Sequence, residues 1–222
     1  GFFGIDANRK IKAWPETQLA FIKIISNIFA DAFEKIQQDK EITELAFHDF
    51  LTKLPNRILF QDRAAQAIRL AERTNKTLAV IFLDLDAFKA VNNAVGHDGG
   101  DALLIKVADA LTKCLRKSDA VSRFGGDEFL ILLNNLTSTD DIPRIIEKLL
   151  AVFEKPFVID GQEFFVTASA GIAVYPYDGE GPETLIKNAD LAMYKAKEQG
   201  KNRFTFCTGD MKDEILMKMK LT

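Results

Sequence analysis

Two short runs of acidic residues are the part of this sequence best suited to chemistry. Asp84 and Asp86 directly follow an apolar run, and Asp127 and Glu128 directly follow the glycine pair Gly125-Gly126. Carboxylates that meet without cationic partners repel one another, and a bound divalent metal is the ordinary relief. Hard oxygen ligands select magnesium or manganese over zinc. A metal site is therefore predicted if the fold brings the two runs together.

Each run taken alone also has a structural explanation. Asp84 and Asp86 are placed to cap the helix that follows them, and Asp127 and Glu128 would keep a hairpin tip soluble. Gly125-Gly126 permits positive φ and a close approach of a ligand to the backbone, or it forms a plain tight turn. Only a meeting of the two runs favours the metal.

The predicted elements place the two runs side by side. After a helix that begins at Ile58, apolar periodicity and turn residues predict the order β-α-β-β-α-β from Leu78 onward. In a split unit of this kind, the first and third strands are antiparallel neighbours in the sheet centre. The end of the first strand then lies beside the start of the third, so all four carboxylates converge at one sheet edge. The elements are predicted at Ile58–Arg73 (helix), Leu78–Leu83 (strand), Asp101–Leu115 (helix), Ala120–Phe124 and Phe129–Leu133 (strands), Ile142–Phe153 (helix) and Phe164–Val174 (extended).

A long amphipathic helix is predicted before this unit, over Pro15–Lys40, and it continues or restarts through Ile42–Phe47. Gly1–Ile5 is interpreted as the last strand of a preceding structural unit, because so short an apolar piece has no partner of its own to pair with. A final helix over Pro182–Gln199 and an edge strand over Arg203–Cys207 follow the unit. The apolar residues of the long helix recur at three- and four-residue spacing, at Leu19, Ile22, Ile25, Phe29, Phe33 and Ile36.

Composition bounds the class of protein. The chain has 222 residues, of which 47% are hydrophobic and 27% charged, so it is too apolar for a disordered segment. A formal net charge of -3 leaves no basic excess for a phosphate backbone, and no nucleic-acid partner is expected. Two cysteines and two histidines are too few for a zinc site or a disulfide framework, which fits a cytoplasmic protein. Phe21–Ala30 is interrupted by polar residues, so neither a membrane span nor direct membrane contact is expected of this piece, whose start at Gly1 favours an excised fragment.

Six consecutive residues resemble the signature of a known family. Phe124-Gly125-Gly126-Asp127-Glu128-Phe129 is similar to the signature of GGDEF domains, the diguanylate cyclases of bacterial signalling. Lys53 stands where glycine is common in the family, and Asn93 where aspartate is common. The other matching motifs, in the family's order, are Asp49–Arg57 (D-x-L-T-x-L-x-N-R), Asp84–Lys89 (D-x-D-x-F-K), Gly96-His97 with Gly100-Asp101 (G-H-x-x-G-D), and Ala189–Lys197 followed by Gly200-Lys201-Asn202.

The resemblance implies an α+β fold and a metal-dependent active site. The fold is a central, mostly antiparallel sheet with a palm-like β-α-β-β-α-β core of the ferredoxin-like or nucleotidyl cyclase type, flanked by helices and preceded by the long helix. Asp84, the backbone carbonyl of Leu85 and Glu128 are implied to hold magnesium or manganese, with two ions per active site. Asp127 is implied as a further metal ligand or as the base for the attacking hydroxyl. Asp127, Glu128 and Lys89 form the implied catalytic set.

The resemblance also implies how the nucleotide is held. Asn92 and Asp101 are implied to recognise guanine, and a carboxylate can accept from the N1–H and amino group that adenine lacks there. Asp101 could also serve as the N-cap of the helix predicted to follow it, and the two roles are compatible. Asn92, late in a short helix, could instead simply end that helix. Lys89, Lys197 and Lys201 match phosphate-contacting positions, although Lys197 and Lys201 at a helix end would complement the helix dipole without any ligand. Phe88, Gly125 and Gly126 complete the implied substrate-binding set.

A second ligand site is implied by Arg116 and Asp119, whose spacing before the glycine pair matches the family's inhibitory R-x-x-D site for the product dimer. Arginine can donate to guanine O6 and N7, and aspartate can accept its N1 and amino protons. The alternative is a surface ion pair of little energetic value.

The resemblance implies that the chain condenses two GTP into cyclic di-GMP in a homodimer of facing sites, with inhibition by the product. The segment 1–47 is interpreted as the tail of a GAF-like sensory domain with a transmitter helix, with the main boundary near Phe47. Residues 48–207 are interpreted as the GGDEF domain, and 208–222 resemble the linker that leads from such a domain into an EAL domain. The rival functions are a non-catalytic receptor for GTP or cyclic di-GMP, and a polymerase-like or mononucleotide cyclase.

Overall fold

The computed structural model describes residues 15–209, apart from the side chains of 39–41. The chain divides into two compact units, with the second beginning at Phe47. Helix α1, Glu16–Phe47, lies in the first unit up to Ala46, and the predicted long helix is confirmed and runs without interruption. The predicted strand Gly1–Ile5 and nearly all of the predicted linker 208–222 lie outside the described residues. Within the described residues, no helix is long and apolar enough to cross a membrane.

The second unit is built on a five-stranded sheet with the order β2-β3-β1-β6-β7. The pairs β2 with β3, β3 with β1, and β1 with β6 are antiparallel, while β7 is parallel to β6. The predicted central pairing of the first and third strands is confirmed. The strands are β1 Thr77–Asp86, β2 Ala120–Gly125, β3 Glu128–Leu136, β6 Thr167–Tyr175 and β7 Phe204–Phe206, and the separate hairpin is β4 Phe157–Ile159 with β5 Gln162–Phe164.

Helices cover both faces of this sheet. The inward side chains of α2 and α5 pack with Val80 and Phe82 of β1, whereas those of α3 and α4 pack with Ile81 and Leu83. The unbroken apolar run of β1 is thus explained, because a strand buried on both faces has no polar side. The helices are α2 Arg57–Thr74, α3 Phe88–Cys114, α4 Asp141–Leu150, extended by a 3-10 turn at Ala151–Glu154, and α5 Pro182–Glu198.

Helix α5 lies unusually close to the sheet. A Cβ atom on Gly171 of β6 would overlap the backbone carbonyl of Ala189 and the backbone amide of Met193. The glycine therefore lets the helix backbone rest directly on the strand. This contact fixes the height of α5 over the sheet, and α5 carries two groups of the site described below.

The structure differs from the predicted elements at two places. Helix α3 begins at Phe88 and continues to Cys114 across a kink at Gly96, where φ is 75° and ψ is 175°, instead of beginning at Asp101. The hairpin β4–β5 was not predicted, because its strands have three residues each. Its turn, Asp160-Gly161, has φ of 49° and 81°, and this dipeptide is a hairpin signal in the sequence.

Candidate active site

The two acidic runs meet at one edge of the sheet. Asp84 of β1 lies opposite Glu128 of β3 in the antiparallel register. The backbone amide of Leu85 donates to the carbonyl of Asp127 at 3.2 Å, which ties the tip of the β2–β3 hairpin to the end of β1. The predicted meeting of Asp84 with Asp127 and Glu128 is therefore what the strand pairing produces.

The electrostatics of this edge are unfavourable for ionised carboxylates. Burial raises the pKa of Glu128 above its ordinary value, and the charges of Asp84, Asp190 and Asp127 raise it further. Burial likewise raises the pKa of Asp84, which is 6% exposed, and Asp127 adds to the shift. Like charges directly opposite one another destabilise a sheet. The fold thus holds these acids together against their repulsion.

One lysine forms an ion pair within the acid cluster, the group of carboxylates made by Asp84, Asp127, Glu128 and Asp190. The Nζ atom of Lys197, near the end of α5, is 2.7 Å from Oδ1 of Asp84. This ion pair only partly offsets the raised pKa of Asp84 and of Glu128. Lys197 was predicted as a phosphate contact, and its position places a cation between the acids and the end of the helix.

Asp190 of α5 belongs to the same cluster and was not predicted as a site residue. Burial raises its pKa, with Lys197 partly offsetting the shift, and its charge acts on Glu128. The signal in the sequence was its spacing: Asp190 precedes Lys197 by seven positions, which is two turns on one helix face.

Asp86, one of the four carboxylates predicted to converge, already has its hydrogen-bond partners within the fold. Asp86 is 6% exposed, and its oxygens accept hydrogen bonds from the hydroxyls of Thr167 at 2.7 Å and Ser169 at 2.8 Å and from the amide of Asn202 at 3.1 Å. Asp86 has these partners because β6 is the other neighbour of β1. It also caps no helix in these contacts, since the N-cap position of α3 is Ala87, which makes no side-chain cap bond.

The motif Asp49–Arg57, called the opening motif below, is joined through Arg123 to the turn at Gly125-Gly126, called the glycine turn. Arg123 donates to the carbonyl of Gly126 through Nε at 3.0 Å and Nη2 at 2.7 Å. Its Nη1 contacts both oxygens of Asp49 at 3.0 and 3.1 Å. Burial alone would raise the pKa of Asp49, but hydrogen bonds from Thr52 and Arg123 outweigh it and hold that pKa below its ordinary value. Arg57, the last residue of the motif, lies 4.8 Å from the ring centre of Phe124.

The predicted guanine-binding residues lie on the two segments of α3. Asn92, before the kink, sits over Gly100, where a Cβ atom would overlap its Oδ1 and come within 3.2 Å of the Phe88 ring. The Oδ1 atom of Asn92 is buried and has no hydrogen-bond partner among the described residues. A buried acceptor without a partner calls for an explanation, and a bound donor supplies one.

Asp101 directly follows Gly100 and is exposed. It does not cap a helix, as the alternative interpretation expected, because α3 has already restarted after Gly96 and Asp101 lies inside it. Lys89 is exposed on the first turn of α3. Lys201 is exposed in the turn that follows α5. The structure therefore leaves all three charged side chains accessible to a ligand.

The predicted inhibitory pair lies at the other end of β2. Asp119 accepts from the backbone amides of Arg116 at 3.3 Å and Asn134 at 3.2 Å, while the Arg116 side chain is exposed. Asp119 also lines a cleft of about 610 Å³ beside α2, which Arg116 does not line. The six residues of β2 separate this cleft from the glycine turn by about 20 Å. The two sites are thus distinct.

The acid cluster suits a hard divalent ion in its donor chemistry. Among residues 15–209, no three acidic, histidine or cysteine side chains are arranged to hold an ion by themselves. Magnesium needs fewer protein ligands than that, because it commonly binds through one or two carboxylates together with water and substrate phosphates. The register pair Asp84 and Glu128 supplies two carboxylates and fits this pattern.

The sequence profile described as "Diguanylate cyclase, GGDEF domain" matches residues 46–203. The chain belongs to the GGDEF family. Its curated relatives include the bifunctional diguanylate cyclase/cyclic di-GMP phosphodiesterase MucR of Pseudomonas aeruginosa, 44% identical over 183 residues. That match covers 82% of this chain and 27% of MucR. The resemblance of the segment before residue 46 to a GAF tail lies outside the family match.

Solved GGDEF domains share the fold. The GGDEF domain of TpbB from Pseudomonas aeruginosa is 38% identical, covers 76% of this chain and 99% of that chain, and gives a TM-score of 0.74. The GGDEF domain of DgcB from Caulobacter crescentus, solved in complex with c-di-GMP, is 28% identical, covers 73% and 96%, and gives a TM-score of 0.66. Diguanylate cyclases with a GGDEF domain generally use a divalent metal. The α+β fold class expected from the sequence is confirmed.

Proposed function

We propose that this chain is a diguanylate cyclase domain, which condenses two GTP molecules into cyclic di-GMP and releases two pyrophosphates. The observation that carries the proposal is the register pair Asp84 and Glu128, held at the sheet edge beside Lys197 and the glycine turn. The chain spans 27% of MucR and 46% of the diguanylate cyclase TpbB, so the proposal concerns this piece only.

In the proposed reaction, the 3′ oxygen of each GTP attacks the α-phosphorus of the other. A new phosphorus–oxygen bond forms as the bond between the α- and β-phosphates breaks, and pyrophosphate leaves with the electron pair. Asp84, Glu128 and the carbonyl of Leu85 are assigned to hold two divalent ions per site, which supply charge stabilisation when bound. Asp127, in the turn directly before Glu128, is assigned to accept the proton of the attacking hydroxyl.

The remaining residues bind and orient the nucleotide. Asn92 and Asp101 are assigned to the guanine edge, and the buried Oδ1 of Asn92, which has no partner among residues 15–209, supports this assignment. Lys197 and Lys201 are assigned to the triphosphate, with Lys89 at the reacting phosphate. Lys197 pairs with Asp84 in the structure, so a triphosphate would compete with Asp84 for the same ammonium group.

The ring closure needs two facing active sites, which a two-fold homodimer provides most simply. We assign this dimer contact to α1, which would pack against α1 of a second copy of the chain. A parallel pair of such helices would convert a rare encounter into an effectively intramolecular one. Its large apolar side chains that are at least half exposed are Leu19, Phe21, Ile24, Ile28, Phe29, Phe33, Ile36, Ile42 and Leu45.

The direct test is incubation of the chain with magnesium and GTP at high protein concentration, followed by identification of the products by mass. Cyclic di-GMP with two pyrophosphates is expected. Binding of GTP without turnover would instead identify a receptor, and a cyclic mononucleotide would identify a different cyclase. Asp101→Ala should reduce the preference for GTP over ATP, because a group that must be satisfied by the base is a strong source of selectivity.

The dimer and the inhibitory site have separate tests. Removal of residues 1–40 should leave a GTP-binding domain whose specific activity falls steeply on dilution, whereas an unchanged oligomer distribution in sedimentation would remove the role of α1. Product binding at Arg116 and Asp119 should vanish in Arg116→Ala without a rise in the initial rate, because the site lies apart from the acids. Unchanged product affinity in calorimetry would remove that assignment.

A further inference from the structure

The turn that joins α5 to β7 has an unusual backbone. Gly200, Lys201 and Asn202 have φ of 115°, 62° and 47° in succession. Residues with a Cβ atom disfavour this left-handed region, so two of them in a row persist only where surrounding contacts hold them. The turn carries Lys201, one of the lysines assigned to the triphosphate.

Asp86 contacts Asn202, the last of these three turn residues. One of its oxygens, Oδ2, accepts from the backbone amide of Asn202 at 3.1 Å and from the hydroxyl of Thr167 at 2.7 Å. The other, Oδ1, accepts from the hydroxyl of Ser169 at 2.8 Å. This carboxylate is buried, and both of its oxygens have hydrogen-bond donors. Asp86 therefore fixes the turn relative to two central strands, β1 and β6.

Lys201 and Arg203, on either side of Asn202, are held by backbone hydrogen bonds. The amide of Lys201 donates to the carbonyl of Ala196 at 3.1 Å, and the carbonyl of Arg203 accepts from the amide of Ala170 at 2.9 Å. The Nε atom of Arg203 also donates to the carbonyl of Lys201 at 3.1 Å. The Lys201 backbone is thus fixed on every side, while its side chain is exposed and able to reach a ligand.

We infer that Asp86 is a positioning residue for phosphate binding: it holds the strained 200–202 turn so that Lys201 faces the triphosphate beside the acid cluster. Asp86 and Asp84 are two positions apart on one strand, and their partners separate their tasks. Asp84 pairs with a lysine that a triphosphate also attracts, whereas Asp86 has three fixed donors from the fold. The inference rests on the proposed function, because it needs a nucleotide triphosphate as the ligand.

A double-mutant cycle tests the inference. The affinity of the chain for a GTP analogue with a non-hydrolysable α,β-methylene bridge would be measured by calorimetry in magnesium, for Asp86→Ala, Lys201→Ala and the double variant. Each single variant should bind about tenfold more weakly, as for loss of one charge-assisted contact, and the double variant should bind no more weakly than the worse single variant. If the two losses multiply in the double variant, Asp86 acts independently of Lys201 and the inference is wrong.

Asp86→Asn is the conservative variant. Its Oδ1 can accept from Asn202 and Thr167, and its Nδ2 can donate to the Ser169 hydroxyl, which also accepts. It should therefore bind the analogue within about twofold of the unsubstituted chain, as expected for a network whose partners all remain satisfied. Manganese affinity, measured without nucleotide by paramagnetic resonance, should stay unchanged. A loss of manganese affinity in Asp86→Asn would make Asp86 a metal ligand and overturn the inference.

Two further variants guard against misfolding and failure of the wider proposal. If Asp86→Ala does not fold, Asp86→Ser replaces it in the cycle, because its hydroxyl stays near Thr167 and Ser169 but is too short to reach Asn202. Thr167→Val removes one of the three donors to Asp86 but keeps the Asp86 to Asn202 bond, so it should weaken binding of the analogue less than Asp86→Ala does. If the unsubstituted chain does not bind the analogue, the proposed function is wrong. If it binds the analogue and the two losses multiply in the double variant, only the inference about Asp86 is wrong.

Discussion

Asp49 and Glu128 lie on the two sides of the glycine turn and meet opposite environments. Both are partly buried, and burial is the largest influence on the pKa of each. Around Asp49, hydrogen bonds from Thr52 and Arg123 more than compensate, so its pKa is lowered. Around Glu128, three other carboxylates add to the effect of burial, and Lys197 offsets it only in part, so its pKa is raised.

The difference separates two uses of an acidic residue. At Asp49 the fold supplies the donors, and the carboxylate in turn fixes Arg123 and the carbonyl of Gly126. At Glu128 the fold supplies mainly more negative charge, so its compensation must come from a bound ligand. A carboxylate whose charge is satisfied within the fold stabilises structure, and one whose charge is not satisfied is available for chemistry.

The largest effect is expected from removing the charge of Glu128, the carboxylate that the fold does not compensate. Glu128→Gln should lower cyclic di-GMP synthesis by about a hundred- to a thousandfold, the range seen for removal of a group that stabilises transition-state charge. The free energy of unfolding should stay the same or rise, because a repulsive charge is removed without a change of shape. Product quantification and urea unfolding of the same preparation would check both. A variant that is equally active would remove Glu128 from the site.

Asp127→Asn separates the two neighbouring acids. It should also stop turnover while manganese affinity is kept, whereas Glu128→Gln should lose both. Equal manganese losses in the two variants would make Asp127 a metal ligand and leave the proton acceptor unassigned.

The next largest effect is expected from removing Arg123, the partner that compensates the charge of Asp49. Arg123→Ala leaves Asp49 partly buried without its partner and releases the Gly126 carbonyl, so it should lower the free energy of unfolding by about 3 kcal/mol. Arg123→Lys is the matched control, because it keeps the charge but cannot contact both groups at once. Urea unfolding should place Arg123→Lys between Arg123→Ala and the parent chain. If all three unfold alike, the pair does not stabilise the fold.

A smaller effect compares the two sides through pH. The lowered pKa of Asp49 means that its carboxylate stabilises the fold above the unfolded value of about 4, and that this stability is lost as pH falls through the folded pKa. The deficit of Asp49→Asn should therefore shrink in acid. The raised pKa of Glu128 has the opposite sign: its carboxylate destabilises the fold above the folded pKa and has no effect below the unfolded one. The gain of Glu128→Gln should thus be largest near neutral pH and also vanish in acid, as followed by unfolding without metal.

The smallest effect lies in the opening motif itself. Lys53 has a φ of 59°, which explains why this position commonly carries glycine in the family. Lys53→Gly should raise the free energy of unfolding by up to about 1 kcal/mol through relief of the left-handed backbone, less the entropy that glycine gains in the unfolded chain. Lys53→Ala, which keeps the Cβ atom, is the control and should give no gain. Activity should not change, because Lys53 is outside the site.

Local patterns in the sequence were sufficient for most of the fold. Helix α1, helix α2, strand β1 and helix α5 follow apolar periodicity with ordinary start and stop residues, and the structure has them at nearly the predicted bounds. For α2, Asn56 caps the start through hydrogen bonds to the amides of Ile58 and Leu59. The kinked α3 and the short hairpin β4–β5 were harder, because a glycine inside a continuing helix and strands of three residues give weak periodic signals.

The acidic runs, the glycine pair and the lysines of α5 were visible in the sequence, and the β-α-β-β-α-β order was enough to place Asp84 beside Glu128. Their chemical types and the metal they favour follow from residue identity alone. The spacing of Asp190 to Lys197 puts both on one helix face, but that spacing does not distinguish a solvated face from one that points at a sheet edge.

Only the tertiary structure decided which acids remained uncompensated. Asp84 and Asp86 are the same residue type on the same side of one strand, and no local pattern separates them. The partners of Asp86 come from positions 81, 83 and 116 residues away along the chain. Whether a carboxylate is satisfied depends on distances in space to donors and charges, and those distances exist only after β6, α5 and the turn after it have packed against β1.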